Sequence, residues 1–380
     1  MLWTDIELPP QIPLDIQLRF QPKSVARCPH DAARHTKLGN ILMALEKYAD
    51  AAAAFERAEA LGSSDFREFD RLAGCYIRLK QPDAALEVCE RGNEVMPNCA
   101  KLQAVRGIAL RQLGRETEAR AAFLEALALS PDVFEAAECL LLPLAADPDG
   151  GRLLALCEEF PSSYSNSTVV RGCRAIALSR LGRVDEARSL VDLEKYPARV
   201  TFEPPAEFGG IEHFNALLAD EIFRNPGLRH TSDYGFSRTE QLAILGARAF
   251  PVLAKFLRST IENYIAEFVD RGLDVILPPP PREGFLYSAG NVVRAEEDHS
   301  AHLHKYAYIS GVYHVSAPPN AGALVVGPFA GYVPCWGSRD IEPVPGVATL
   351  LPSHIFHSVV PTRSEQPRIA VPFDLCVGVT

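Results

Sequence analysis

The stretch His299-Ser300-Ala301-His302-Leu303-His304-Lys305-Tyr306-Ala307-Tyr308-Ile309-Ser310-Gly311-Val312-Tyr313-His314-Val315 sets a cluster of histidines ahead of, and into, an apolar β-rich run. Side chains alternate between faces along a strand, so His302 and His304 are expected to point the same way. His357 sits in a second β-rich run, Phe356–Val360, from which a neighbouring strand can bring it across to complete a three-point metal site. Imidazole suits Fe, Zn, Cu and Ni alike, so the triplet alone does not choose the metal. Arg368 follows eleven residues after His357, and its guanidinium fork is suited to holding a carboxylate.

Outward from this stretch the apolar residues keep a period of two. Candidate strands are Gly284–Val293, Ala307–Val315, Ala323–Gly327, Val347–Leu351, Phe356–Val360 and Arg368–Val377, divided by turn signals such as Pro318-Pro319-Asn320-Ala321-Gly322 and Pro345-Gly346. Short strands at close spacing predict a sandwich or jelly roll. Between 205 and 281 the pattern is mixed: a short helix at Phe214–Ala219, a long amphipathic helix over 239–271, and a rigid hinge at Pro278–Pro281.

The half before residue 195 is written in the helical period. Asp50-Ala51-Ala52-Ala53-Ala54-Phe55, Asp83-Ala84-Ala85-Leu86 and Glu118-Ala119-Arg120-Ala121-Ala122-Phe123 repeat one another, with Ala51, Ala84 and Ala119 separated by 33 and 35 residues. Ala187 lies 68 residues further on, two such periods. Each unit carries a small residue in its first helix (Gly39, Gly74, Gly107, Gly172), which lets paired helices approach closely, and Pro97 and Pro131 end two of the units. This recurrence resembles the tetratricopeptide repeat: three units over about 31–132, a weaker one over about 165–195, and an irregular helical stretch between them, broken by Pro143 and Pro161. Such solenoids present a concave surface to a protein or peptide partner.

The expected architecture is therefore α + β in two domains: an N-terminal extension over 1–30, a tetratricopeptide-like helical solenoid over 31–198, and a second domain over 205–380 folded as a double-stranded β-helix. The bulk properties agree with a globular enzyme or scaffold. The chain has 380 residues, 47% hydrophobic and 23% charged, with a formal net charge of −10. An acidic chain argues against generic nucleic-acid binding. No run approaches the roughly 20 apolar residues of a membrane span. The nine cysteines form no C-x-x-C pair and read as buried thiols of a reducing compartment. The first residues lack the basic and apolar regions of a signal peptide, so cytoplasm is the expected location.

The C-terminal motifs resemble the non-haem iron, 2-oxoglutarate-dependent oxygenases over about 205–380. The resemblance is carried by His302-Leu303-His304, Ser310-Gly311-Val312-Tyr313-His314, His357-Ser358-Val359-Val360-Pro361 and Arg368-Ile369-Ala370-Val371-Pro372. Within that superfamily they are similar to a bacterial and phage branch with an H-x-H pair. The resemblance implies Fe(II) held by His302, His304 and His357, 2-oxoglutarate with its far carboxylate on Arg368, and O2 as oxidant. Ser310, Tyr313 and Asn291 become candidates to hydrogen-bond the cosubstrate. His299, His314 and His354 become candidates for supporting or substrate-contacting roles. The superfamily's usual carboxylate ligand is replaced by His304, which leaves open a site of two histidines completed by water or by Glu297 or Asp298. The implied activity is a dioxygenase that hydroxylates a protein or peptide engaged partly by the repeats. Two other readings stay open: a non-catalytic scaffold with a degenerate β-domain, and a cupin-type three-histidine iron enzyme that does not use 2-oxoglutarate.

Overall fold

The structure, a computed structural model, describes residues 4–5, 14–63, 67–130, 133–160, 167–230, 235–239, 242, 246–271, 283–297 and 299–377. Pro131, Pro161, Asp298, the Pro278–Pro281 hinge and part of the expected 239–271 helix, including Ile244 and Leu245, lie outside the described residues. By contacts the chain divides into two units, residues 12–143 and residues 144–380 together with the first eleven. The second unit thus begins well before the change of composition near residue 195 and takes in three helices of the repeat-like half.

The first unit is helical. Its helices are α1 (Leu14–Arg27), α2 (Ala32–Ala44), α3 (Tyr48–Ala60), α4 (Arg67–Arg78), α5 (Pro82–Val95), α6 (Ala100–Gln112), α7 (Glu116–Leu129) and most of α8 (Phe134–Ala146). Three helical hairpins, α2–α3, α4–α5 and α6–α7, follow the 34-residue recurrence. Their common feature is one close approach inside each hairpin. A Cβ on Gly39 would lie 2.7 Å from the Phe55 ring, and one on Gly107 2.6 Å from Phe123. One period between these pairs stand Ala73 and Cys89, both fully buried: a slightly larger residue on one helix is matched by a smaller one on its partner. Gly74, expected to play the same part, has nothing within 4 Å of where a Cβ would sit; the register is one residue earlier, at Ala73.

The second unit opens with helices α9 (Gly150–Glu159), α10 (Thr168–Arg180) and α11 (Val184–Leu190), followed by α12 (Ile211–Arg224) and the 22-residue α13 (Ala249–Asp270). Its strands are β1 (Thr4–Asp5), β2 (Ala198–Thr201), β3 (Arg229–His230), β4 (Ser237–Arg238), β5 (Glu283–Ser288), β6 (Asn291–Val293), β7 (His299–His302), β8 (Ala307–Ser316), β9 (Leu324–Val326), β10 (Arg339–Ile341), β11 (Val347–Pro352), β12 (His357–Val359) and β13 (Arg368–Val377). They form two sheets. The larger has nine strands, with the path β2-β11-β8-β13-β6-β4-β3 and β5 joining β13 to β1; the smaller is β10-β9-β12-β7. All pairings are antiparallel except β1 with β5. The region is thus an antiparallel sheet domain of two separate sheets among the described residues.

Alternation along β8 and β13 assigns the two faces of the larger sheet. Ile309 and Tyr313 of β8, and Ile369, Val371, Phe373 and Leu375 of β13, are buried in one core cluster with Phe214 and Leu218 of α12 and Leu253, Leu257, Ile261 and Ile265 of α13. Burying such side chains stabilises by about 1.5–3 kcal/mol each. The intervening residues, Ser310, Val312, His314, Arg368, Ala370 and Pro372, line a cavity instead. No helix among the described residues is long and apolar enough to cross a membrane.

Two glycine substitutions separate the packing roles in the repeats. Gly107→Ala is expected to lower stability by about 1–3 kcal/mol, because the Phe123 ring has to move. Gly74→Ala is expected to raise it by about 0.5–1 kcal/mol, since it restrains the unfolded chain without a clash. Denaturant unfolding of the full chain measures both; equal losses would contradict the assigned register.

Candidate metal centre

His302 and His357 are direct cross-strand partners on β7 and β12. Side chains so paired on one face of an antiparallel sheet meet, and their ring centroids are 4.5 Å apart. His304 lies just past the end of β7, where its backbone N–H donates to Ser353 O at 3.1 Å. That bond turns its ring towards the other two, at 5.2 Å from His302 and 5.0 Å from His357. The ligating atoms of the three histidines lie within 4.8 Å of one another, a group able to hold a metal ion.

The hydrogen bonds behind the rings decide which nitrogens face inward. His302 Nδ1 donates to Ser300 O at 2.8 Å, and His357 Nδ1 donates to Ile355 O at 3.0 Å. His304 Nδ1 lies 2.9 and 2.8 Å from the two carboxylate oxygens of Asp374. Each Nδ1 proton is thus occupied, and each Nε2 lone pair is left for a common point. His304 Nε2 and His357 Nε2 are 3.2 Å apart, a contact between two acceptors that a shared cation would relieve. This donor set fits a divalent transition metal. Burial, reinforced by the neighbouring imidazoles, brings His302 down to about 4 and His357 well below the ordinary 6.5. Both are neutral at pH 7, the state in which imidazole ligates.

Asp374 escaped the sequence reading. Burial alone raises its carboxyl, but His304, by charge and hydrogen bond, together with Ser310 and Arg238, outweighs that and holds it below the usual carboxylate value. The anion missing from the ligand set therefore stands one hydrogen bond behind His304. Strand parity carried the signal: Asp374 shares its face of β13 with Arg368. Glu297 turns back to cap its own turn, accepting from Arg294 N at 2.7 Å.

Arg368 is 6% exposed. Its Nη1 donates to Ala321 O and Gly322 O at 3.3 and 3.2 Å, and its Nε has no partner. It has no acidic partner among the described residues, and burial alone lowers its guanidinium to about 10. A buried cation with no counter-ion is costly unless a ligand supplies one. The cavity it lines has a volume of about 80 Å³ and also carries the three histidines, Asn291, Ser310 and His314. A water needs only about 10–15 Å³ of such space, so a small acid can be held. Among the described residues two arginines, Arg238 and Arg368, and no carboxylate line it. Asn291 Oδ1 and both ring nitrogens of His314 are buried without a hydrogen-bond partner, polar atoms left for a ligand.

The other expected residues separate. His299 lines the same cavity, stacked on His302 at 3.9 Å and edge-on to Phe236. Ser310 lines it too and shares a 2.7 Å hydrogen bond with Ser353. Tyr313 does not reach it. Odd-numbered residues of β8 face the helices, so its hydroxyl donates to Asn215 Oδ1 of α12 at 2.7 Å. His354 is 2% exposed and bonds Leu190 O at 2.8 Å, at the end of α11 rather than in the cavity.

Helix α10 braces both histidine-bearing segments. A Cβ on Gly172 would lie 2.7 Å from His354 O, 3.0 Å from Leu303 and 3.2 Å from Phe356. The Thr168 hydroxyl donates to Lys305 O at 3.1 Å. Gly172 therefore serves the close approach of the site to the helix, not the packing of a repeat hairpin.

The tetratricopeptide-repeat family matches residues 42–108 and again 91–133. Residues 42–133 are tetratricopeptide repeats. Among solved structures, the chain is similar to the first such repeat domain of human RPAP3, with 26% identity, a TM-score of 0.28, and coverage of 30% of this chain and 88% of that one. It is also similar to MamA, with 16% identity, a TM-score of 0.34 and coverage of 46% and 91%. A third similarity is to a Pseudomonas putida prolyl-4-hydroxylase, with 17% identity, a TM-score of 0.35 and coverage of 50% and 98%. No curated protein matches the chain.

The buried imidazoles away from the centre give a pH signature. Burial lowers His314 to about 3 and His354 to about 4, against 6.5 in the unfolded chain. Below pH 6.5 the unfolded state binds more protons than the folded one. Stability of the chelator-treated protein is thus expected to fall from pH 6.5 towards pH 4, by at most about 1.4 kcal/mol per pH unit for each group. His314→Asn is expected to make that slope shallower. Thermal unfolding midpoints across the range provide the check, and a flat profile would refute neutral burial.

Proposed function

We propose that the chain is an Fe(II)- and 2-oxoglutarate-dependent dioxygenase, with the two sheets arranged as a jelly roll and the repeats engaging a protein or peptide substrate. The observation that carries this reading is the buried guanidinium of Arg368, without an acidic partner among the described residues, in the cavity that the three histidines also line. A simple structural metal site has no need of that cation. A keto diacid has two anionic ends, and this cavity offers a cation for one and a metal group for the other.

His302, His304 and His357 would hold the iron, which when bound supplies open positions for the keto acid and for dioxygen. Arg368 binds the far carboxylate of 2-oxoglutarate and so fixes which end meets the histidines. Neutral His314 has one unpartnered ring N–H to donate to the same ligand, and Asn291 would meet it through its amide N–H rather than through Oδ1. Asp374 keeps the His304 proton on Nδ1 and adds negative character to that ring, offsetting in part the loss of a carboxylate ligand. In the overall reaction one oxygen atom of O2 enters succinate as CO2 leaves, and the other converts a substrate C–H to C–OH.

Purified protein with Fe(II), ascorbate and 2-oxoglutarate is expected to release succinate, and a chelator is expected to abolish that release. Arg368→Ala removes a charge-assisted contact of about 1.5–3 kcal/mol. It is expected to weaken 2-oxoglutarate binding by about ten- to a hundredfold. Unchanged affinity in this variant would show that the cosubstrate assignment is wrong.

A further inference from the structure

The three candidate ligands differ in what stands behind them. His302 Nδ1 and His357 Nδ1 each donate to a backbone carbonyl two residues earlier in the chain, Ser300 O and Ile355 O, at 2.8 and 3.0 Å. Both acceptors are neutral. His304 Nδ1 instead meets the Asp374 carboxylate, at 2.9 and 2.8 Å from its two oxygens. A hydrogen-bonded anion makes an imidazole a stronger ligand, so a metal held here has one donor unlike the other two.

Asp374 does not act alone. It lies directly opposite Ser310 in the register of β13 with β8, and the Ser310 hydroxyl hydrogen-bonds its carboxylate. The two residues line different spaces: Ser310 the small cavity, and Asp374 a larger one of about 420 Å³ that borders His302 and His304. Ser310 Oγ is also 2.7 Å from Ser353 Oγ. Proton counting gives this chain its direction. A carboxylate only accepts, and a serine hydroxyl has a single proton to give. Ser310 therefore donates to Asp374, and Ser353 donates to Ser310. The chain closes on itself, because the His304 backbone N–H donates to Ser353 O at 3.1 Å. One circuit, Ser353–Ser310–Asp374, thus holds His304 at both its backbone and its ring. It takes the place of strand pairing, since β7 ends at His302. Ser310 and Ser353 are 1% and 0% exposed, so neither hydroxyl has solvent to bond instead.

The bonds of the circuit pull in opposite senses. Asp374 pushes negative charge towards the His304 ring, and the proton from Ser310 draws part of that charge back. We propose that Ser310 is a positioning residue of the metal centre, acting through Asp374 to set how strongly His304 donates, rather than a contact of the cosubstrate. Ser353 supports it from behind. The inference deepens the iron half of the dioxygenase reading. It rests on iron held by the three histidines and is independent of 2-oxoglutarate.

The test loads the full-length protein with iron, without 2-oxoglutarate, and follows the Fe(III)/Fe(II) midpoint by spectroelectrochemistry. Ser310→Ala leaves Asp374 a stronger acceptor, so the midpoint is expected to fall. Fe(III) would be favoured by about tenfold, or roughly 59 mV for one electron. Asp374→Asn removes the anion, and the midpoint is expected to rise. Ser353→Ala is expected to shift it in the same direction as Ser310→Ala, but less. Ser310→Thr keeps the hydroxyl and is expected to restore the starting value. In the zinc-loaded protein, the His304 Nδ1 proton resonance is expected to move downfield in Ser310→Ala. Thermal midpoints show that the variants fold, and Ser353→Ala carries the test if Ser310→Ala does not. A site that is merely loosened would move Ser310→Ala and Asp374→Asn the same way, and that result would overturn the proposal. So would an unmoved midpoint in Ser310→Ala, or a Ser310→Thr midpoint equal to that of Ser310→Ala. Failure of the unaltered protein to hold iron would overturn it together with the dioxygenase reading. Iron binding with the expected shifts but no succinate release would sink the dioxygenase reading alone.

Discussion

Side-chain alternation along β13 is the constraint on which the rest of the second unit depends. Ile369, Val371, Phe373 and Leu375 enter the apolar core beneath α12 and α13. Arg368, Ala370 and Pro372 face the small cavity, and Asp374 the larger one. The same ten residues therefore carry the hydrophobic anchor of the sheet and two charged groups of the site. A one-residue slip would push a guanidinium and a carboxylate into the core and expose four large apolar side chains. Core packing thus holds the site charges at depth, where each is more strongly felt.

That depth governs the chemistry. Three imidazole ligands would leave a divalent ion more positive than a ligand set containing a carboxylate would. Asp374 answers this indirectly: its charge reaches the centre through the His304 ring, and its position is fixed by the strand that also carries Arg368. The guanidinium, lowered by burial, has no acidic partner among the described residues. Arg368 and the three histidines line one cavity, which on the proposed reading complements the two ends of a keto diacid.

Much of this was legible in the sequence because it obeys simple periods. The 34-residue recurrence marked the repeats, and period two marked β8, β11 and β13 nearly to the residue. His302 and His357 meet as cross-strand partners, whereas His304 lies past the end of β7 and is turned in by a backbone bond that alternation does not describe. What escaped depends on register and on contacts distant in sequence. Tyr313 was grouped with Ser310 although odd and even residues of β8 face opposite ways. Asp374 was passed over because its partner His304 is seventy residues away along the chain. Gly172 looked like a repeat residue, yet the atom it makes room for is His354 O. Composition changes near 195, but α9–α11 fall in the same unit as the sheets, and composition does not report contacts.

The central claim is that one metal ion binds between His302, His304 and His357, with Asp374 behind His304 and an anion on Arg368. An anaerobic crystal structure of the full chain with Fe(II) and 2-oxoglutarate tests it directly. The account predicts one iron on the three Nε2 atoms, at the roughly 2.0–2.2 Å usual for imidazole nitrogen, with the far carboxylate of the keto acid paired to the Arg368 guanidinium. Iron bound elsewhere, or a 2-oxoglutarate molecule that leaves Arg368 unpaired, would contradict it.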